Sequence, residues 1–111
     1  MSGEGTAACA ACERQDGAEL TYPFGPETTV YKVAGKIFAL LGLERDPPTI
    51  SLKCDPEHGE ALRAEHATII PGYHLNKRHW ITVTLDGSLP QSMIDELIED
   101  SYDLVAPRRR I

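Results

Sequence analysis

The residues best suited to chemistry are concentrated in one short segment of this sequence. Residues 73–83 read YHLNKRHWITV, which places two histidines, a lysine, an arginine and the only tryptophan of the chain within eleven residues. Histidine exchanges protons or holds metal ions near neutral pH, lysine and arginine bind phosphate, and tryptophan stacks on flat rings. The segment therefore raises four possibilities: a catalytic centre, a metal site, a nucleic-acid contact and a well-packed hairpin.

Catalysis is not the expected role of this segment. His74 and His79 are not spaced as in the H-E-x-x-H zinc motif, and no acidic residue lies between them to act as a base. The sequence has neither a glycine-rich phosphate loop nor a G-x-S-x-G nucleophile motif. We therefore expect no catalytic residues and no enzymatic activity.

The cysteines form only half of a metal or redox motif. Cys9 and Cys12 make a C-x-x-C, but no strand precedes them, as a thioredoxin-like site requires. Cys54 with His58 or His66 could complete a zinc site in principle, yet the second paired half of such a site is missing. Three cysteines, an odd number, also do not suggest a disulfide framework. We expect Cys9 and Cys12 to act as small apolar side chains in a helix, with no metal ion or other cofactor.

The charges of the chain are segregated along its length. The net charge of -6 argues against wholesale electrostatic binding to nucleic acid, but residues 71–85 carry two basic and no acidic residues. Lys77 and Arg78 lie near the tip of a predicted hairpin, and Lys32, Lys36 and Lys53 project from predicted strands. These five bases could form a phosphate-binding face with His79 or Trp80 available for stacking. They could equally serve only to keep an exposed sheet soluble.

Hydrophobic periodicity and turn residues predict the elements that position these side chains. Ala34-Gly35 resembles a two-residue hairpin turn, Asp55 caps a helix that contains Leu62, and Ser88 caps the last helix. The predicted helices cover residues 4–14, 55–66 and 88–105, and the predicted strands cover residues 30–33, 36–41, 49–54, 67–70 and 80–85. The segment TYPFGPETT, from residue 21 to residue 29, is predicted to be a loop.

Alternation also predicts which side chains share a face. In the strand at 36–41, one face should carry Ile37, Ala39 and Leu41, and the other Lys36, Phe38 and Leu40. In the last helix the buried stripe should consist of Met93, Ile94, Leu97, Ile98, Ser101, Leu104 and Val105. The outward side of that helix carries five carboxylates: Asp95, Glu96, Glu99, Asp100 and Asp103. That acidic side is either a solvated surface or a site for a cation or a basic partner.

The order of elements indicates an α+β domain, with a curved antiparallel sheet and helices packed on one face. The helix and strand order is α-β-β-β-α-β-β-α. The length of 111 residues suits a single domain, with the first few residues and 106–111 flexible. No apolar run is long enough to span a bilayer and no export signal precedes the domain, so we expect a cytoplasmic protein without membrane association.

Several ordered segments resemble the MmcQ/YjbR family of small bacterial proteins. They are YPFG (22–25), VYKVAGKIFALL (30–41), ISLKCDPE (50–57), PGYHLNKRHWITVTLDG (71–87) and LIEDSYDLV (97–105). The resemblance implies a CyaY-like fold in the "double wing" arrangement, which is similar to the DNA-binding domain of a phage transcription factor. It therefore implies DNA binding, by analogy of fold.

By that analogy, the positions that match the family and could meet double-stranded DNA are Lys36, Lys53, Asn76, Lys77, Arg78, His79 and Trp80. Lys32 joins this set from the strand pattern. Phe24 and Phe38 also match the family, and we interpret them as packing residues. Two alternatives stay open: a module that binds a protein or small ligand on the concave sheet face, with Trp80 and Tyr73 as an apolar platform, and a frataxin-like role in which the acidic helix binds a metal ion or a partner.

Overall fold

The computed structural model describes residues 3–107. In this part of the chain the helices are α1 (Gly3–Glu13), α2 (Pro56–Glu65) and α3 (Gln91–Val105). The strands are β1 (Glu19–Thr21), β2 (Thr29–Val33), β3 (Lys36–Gly42), β4 (Thr49–Lys53), β5 (Ile69–Pro71) and β6 (Trp80–Thr84). The flexibility expected of the chain ends falls largely outside the described residues. None of these helices has both the length and the apolar composition that crossing a bilayer requires.

The strands form one antiparallel sheet in the order β1-β2-β3-β4-β6-β5. The predicted class is confirmed: the domain is α+β, with a curved antiparallel sheet and helices on one face. The core between sheet and helices is closely packed, with Phe38, Ile50, Leu52 and Ile81 fully buried. Asp55 caps α2 as predicted, since its Oδ1 accepts a hydrogen bond of 3.0 Å from the N–H of Glu57.

The first strand, β1, is absent from the sequence prediction, which assigned Thr21 to a loop. Glu19 pairs with Lys32 and Thr21 with Val30, so β1 forms the edge of the sheet. Three residues are too few to show an alternating pattern, and β1 exists because β2 offers it a hydrogen-bonding partner.

A bulge in β3 changes which side chains face the core. Tyr31 pairs with Ala39 but Lys32 pairs with Ile37, so Phe38 is an extra residue in the ladder. Phe38 and Ala39 are therefore both buried against the helices, whereas Ile37 points to the opposite face and lines a groove there. The predicted faces of Ile37 and Phe38 are wrong, because one inserted residue reverses the alternation beyond it.

Ser101 of α3 lies where β3 and β4 separate. The paired register of these strands ends at Ala39 and Leu52. Beyond that point the Ser101 hydroxyl donates to the carbonyl oxygen of Phe38 at 2.6 Å and accepts from the N–H of Lys53 at 2.9 Å. Ser101 is completely buried, so its side chain replaces the missing rung of the ladder and ties α3 to both strands.

Two predictions about α3 are wrong. Ser88 is not its cap: α3 begins at Gln91 after Pro90, and the Ser88 N–H instead donates to Asp86 Oδ1 at 3.0 Å within the preceding turn. Leu104 is not buried but 52% exposed, because it lies in the last turn of α3, where it borders surface grooves beside Lys36. The rest of the buried stripe is placed as the spacing predicts.

We expect the substitution Ser101→Ala to lower the free energy of unfolding by about 1–3 kcal/mol, since it leaves a buried N–H and a buried carbonyl without partners. Urea denaturation at neutral pH measures this change. The matched control is Ser92→Ala, an exposed serine of the same helix, which should stay within about 0.5 kcal/mol of the parent protein. Equal stability of the two variants would show that the Ser101 bridge contributes nothing.

Candidate functional site

The candidate site begins with the loop between β5 and β6, residues 72–79. The N–H of Gly72 donates to the carbonyl oxygen of Trp80 at 2.8 Å, which closes the loop at its base. A Cβ on Gly72 would lie 2.6 Å from the Cβ of Trp80, so only glycine allows this close approach. The predicted hairpin between the two strands is confirmed, because β5 and β6 pair directly.

Polar side chains within this loop are used to hold the loop itself. Asn76 Oδ1 accepts hydrogen bonds from the backbone N–H groups of Arg78 (2.9 Å) and His79 (3.1 Å). Lys77 Nζ donates to the carbonyl oxygen of Gly72 at 3.0 Å. Two of the predicted DNA-contacting side chains, Asn76 and Lys77, therefore stabilise the loop, while those of Arg78 and His79 are exposed on it.

The sheet face opposite the helices, which we call the helix-free face, ends beside the last turn of α3 in a groove of about 340 Å³. Lys53 and Trp80 are direct cross-strand neighbours on this face. The groove, called here the lysine groove, is lined by Lys36, Ile37, Lys53, Trp80, Leu104 and Val105. Within residues 3–107 neither Lys36 nor Lys53 forms a salt bridge with a carboxylate. The structure thus brings together three of the predicted site residues, the two lysines and Trp80, with neither lysine in an ion pair among the described residues.

The remaining predicted bases do not line the lysine groove. Lys32 lies on the helix-free face, but its neighbour on the edge strand is Glu19. Lys77 donates a hydrogen bond within its own loop, and Arg78 is exposed next to the strand that carries Trp80. Lys36 also borders a second depression that includes Asp103 of the acidic helix. The five bases therefore do not share one groove.

A second groove lies on the helix-free face and includes residues that were not predicted to belong to a site. This aromatic groove has a volume of about 370 Å³, and its lining includes Phe24, Leu40, Arg45, Ser51, Tyr73 and His74. Phe24 was expected to be a packing residue, but it is 65% exposed. The signals for it were its place in a loop rich in proline and glycine and its match to the family in the segment YPFG. Tyr73 lines this groove and Trp80 the other, so the expected common platform of Tyr73 and Trp80 is not formed.

The acidic side of α3 does not gather its carboxylates around one point. Asp95 accepts a hydrogen bond of 2.8 Å from Gln91 Nε2 and pairs with Arg14 at 3.8 Å. Throughout residues 3–107, no three His, Cys, Asp or Glu side chains are grouped closely enough to hold a metal ion.

The N-terminal cysteines lie at the interface between α1 and the sheet. Cys12 is fully buried, Cys9 is partly buried, and both are free thiols. Burial, with further contributions from the nearby Cys9 and Glu13, raises the pKa of Cys12 to about 12. At neutral pH Cys12 is therefore a protonated, apolar side chain in the core.

Comparison with known proteins gives a consistent set of matches. The YjbR family model matches residues 14–104. The chain is 44% identical to YbdF of Escherichia coli O157:H7, over 78% of this chain and 71% of that protein, and 43% identical to YjbR of E. coli K12, over 82% and 77%. Among solved structures, it is similar to Deinococcus radiodurans DR2400, a DUF419 domain, with a TM-score of 0.82, 46% identity and coverage of 86% and 73%. A Pseudomonas syringae protein matches with a TM-score of 0.76, 32% identity and coverage of 95% and 99%.

We expect Asn76→Ala to loosen the 72–79 loop, because the N–H groups of Arg78 and His79 lose their acceptor. Their amide hydrogen exchange should become roughly 2- to 10-fold faster, as expected for the loss of a hydrogen bond of ordinary strength. Asn76→Asp keeps the accepting oxygen and should preserve slow exchange. NMR-detected exchange of these two amides measures the effect, and unchanged rates in Asn76→Ala would contradict it.

The raised pKa of Cys12 predicts a loss of stability in alkali. The unfolded thiol ionises near its ordinary pKa of 9.0, whereas the folded thiol keeps its proton to about pH 12. The stabilisation is complete below pH 9 and declines above it, with Cys12 accounting for about 1.4 kcal/mol between pH 8 and pH 10. Urea denaturation of the parent protein and of Cys12→Ala at several pH values measures this difference. Parallel pH profiles of the two proteins would exclude it.

Proposed function

The chain belongs to the YjbR family, and we propose that it is a cytoplasmic, non-enzymatic protein that binds double-stranded DNA. In this proposal the lysine groove contacts the phosphate backbone. The observation that carries it is the convergence of Lys36, Lys53 and Trp80 in one groove at the end of the helix-free face, beside the last turn of α3, with neither lysine paired to a carboxylate.

The composition of the lysine groove suits a phosphate backbone. The ammonium group of lysine binds phosphate as a point charge and tolerates different geometries, which suits a contact that does not depend on sequence. Trp80 and Ile37 form an apolar floor between the two charges, and an indole beside a duplex can pack on a sugar or insert at a base step. Arg78 and His79 immediately precede Trp80 on the exposed loop and would add contacts along the strand.

The distribution of charge limits the strength of this binding. The net charge of -6 opposes the approach of DNA at long range, and the outward side of α3 carries most of the acidic residues of the C-terminal half. The affinity should therefore be that of non-specific binding, with a dissociation constant of about 10⁻⁴ to 10⁻⁶ M at physiological salt. This is weaker than a sequence-specific repressor.

The alternative function, in which the acidic helix binds a metal ion or a partner, is not supported by a comparable structural observation. A metal site needs several ligands that converge, and the carboxylates of α3 do not form such a group within the described residues. Asp95 also forms an ion pair with Arg14 and accepts a hydrogen bond from Gln91.

The test is the salt dependence of duplex binding, followed through the fluorescence of Trp80, the only tryptophan. Each phosphate contact changes the slope of log K against log salt by about 0.9, so Lys36→Ala and Lys53→Ala should each make the slope shallower by that amount. Arg14→Ala is the control: it removes the same charge on the helix side of the domain, where Arg14 pairs with Asp95. It should leave the slope unchanged.

Two results would contradict the proposal. One is the absence of duplex binding at about 50 mM salt, where electrostatic binding is strongest. The other is equal slopes for Lys53→Ala, Arg14→Ala and the parent protein, which would mean that DNA binds somewhere other than the lysine groove.

A further inference from the structure

The aromatic groove is built from both edges of the sheet. Its floor is formed by Leu40 of β3 and Ser51 of β4, the two central strands. Phe24 comes from the loop between β1 and β2 on one edge, and Tyr73 comes from the loop between β5 and β6 on the other. The two aromatic rings therefore stand on opposite sides of a floor about two strands wide, roughly 5 Å from strand to strand.

Both aromatic side chains are left open to solvent. Phe24 is 65% and Tyr73 49% exposed, although aromatic rings gain free energy from burial. Within residues 3–107 the Phe24 ring contacts no other aromatic ring. The floor beneath is already satisfied: the hydroxyls of Ser51 and Thr82 are hydrogen-bonded at 2.8 Å, and Thr82 Oγ1 also accepts from the N–H of Tyr73 at 2.9 Å. A flat ring entering the groove would bury apolar surface without leaving polar groups of the floor unpaired.

The charge of the groove is opposite to that of the chain. The protein has 17 acidic residues, but none lines this groove, whereas Arg45 and His74 do. The Arg45 guanidinium lies 5.0 Å from the centre of the Tyr73 ring and forms no salt bridge with residues 3–107. This stacking holds the guanidinium in a fixed place while its N–H groups stay available to an anion. His74 lies against the same Tyr73 ring, 4.0 Å between ring centres, and its φ of 60° turns the loop at this point.

We propose that the aromatic groove binds a planar aromatic ring that carries an anionic phosphate, the chemistry of a nucleotide. The ring packs against Phe24 over Leu40, beside the Tyr73 ring that holds Arg45, and the phosphate binds the Arg45 guanidinium. A volume of about 370 Å³ is within the usual range for small-ligand sites. The inference does not rest on the lysine groove, whose residues it does not use.

The nucleotide could be a free mononucleotide or one unit of a single strand, since both carry an aromatic base and a phosphate. A free mononucleotide would fill the groove by itself, whereas a single strand would place one of its nucleotides there and continue over the sheet. The experiment distinguishes them by comparing adenosine 5′-monophosphate with an oligodeoxyadenylate of about eight nucleotides.

The test is a titration of the full chain by NMR and calorimetry with adenosine 5′-monophosphate, adenosine and inorganic phosphate. Adenosine 5′-monophosphate should shift the amide signals of Arg45, Ser51, Tyr73 and His74, and adenosine and phosphate should each bind at least about tenfold more weakly, because each lacks one half of the recognised group. Tighter binding of the oligonucleotide identifies a single strand as the source, and tighter binding of the monophosphate identifies the free nucleotide. No shift at about 1 mM monophosphate and none with the oligonucleotide, or equal affinity for phosphate alone, would overturn the proposal.

Matched variants separate this site from the lysine groove. Phe24→Ala and Arg45→Gln should each weaken binding at least about fivefold, while Leu20→Ala and Arg14→Gln, which change an exposed apolar and a basic residue elsewhere, should not. Lys53→Ala should leave binding of the monophosphate unchanged, and Phe24→Ala should leave the salt slope of duplex binding unchanged. Equal loss of monophosphate binding in Leu20→Ala and Phe24→Ala would contradict the assignment.

Discussion

The structure depends on the buried hydroxyl of Ser101. It bonds to the carbonyl of Phe38 and to the N–H of Lys53 at the point where two central strands part, and so it fixes α3 on the sheet. Because α3 is held there, its last turn brings Leu104 and Val105 beside Lys36 and Lys53 and completes the lysine groove. Ser101, which lies among apolar residues on the buried side of α3, thus positions the helix residues that line the candidate site.

The two faces of the sheet differ because of small irregularities. The extra residue at Phe38 lets two neighbouring side chains enter the core and sends Ile37 to the helix-free face. On that face, the loops at Phe24 and Tyr73 bend over the central strands, so Ser51 is buried although no helix covers it. The aromatic groove therefore lies on this face, whereas the lysine groove lies at its end, beside the last turn of α3.

Much of the fold was predictable because it follows from local patterns. The two-residue turn at Ala34-Gly35 is present as predicted, with positive φ at both residues, and the spacing of α3 identifies most of its buried side. The edge strand β1, the bulge at Phe38 and the exposure of Leu104 depend on contacts with distant parts of the chain, so local spacing does not contain them. The same holds for the site. Lys36, Lys53 and Trp80 were predicted from strand positions, whereas the hydrogen bond of Lys77 and the common groove of Phe24 and Arg45 depend on how the loops fold.

The edges of the sheet have a consequence for behaviour at high concentration. Its outer strands, β1 and β5, are only three residues long, and β5 ends in Pro71, which has no N–H to donate. Exposed strands of greater length are templates on which other chains add and aggregates grow. The exposed side chains of Leu20 and Ile70 would otherwise favour such growth. Short edges and a terminal proline instead make the sheet a poor template for fibril formation, so the helix-free face can stay exposed without promoting self-assembly.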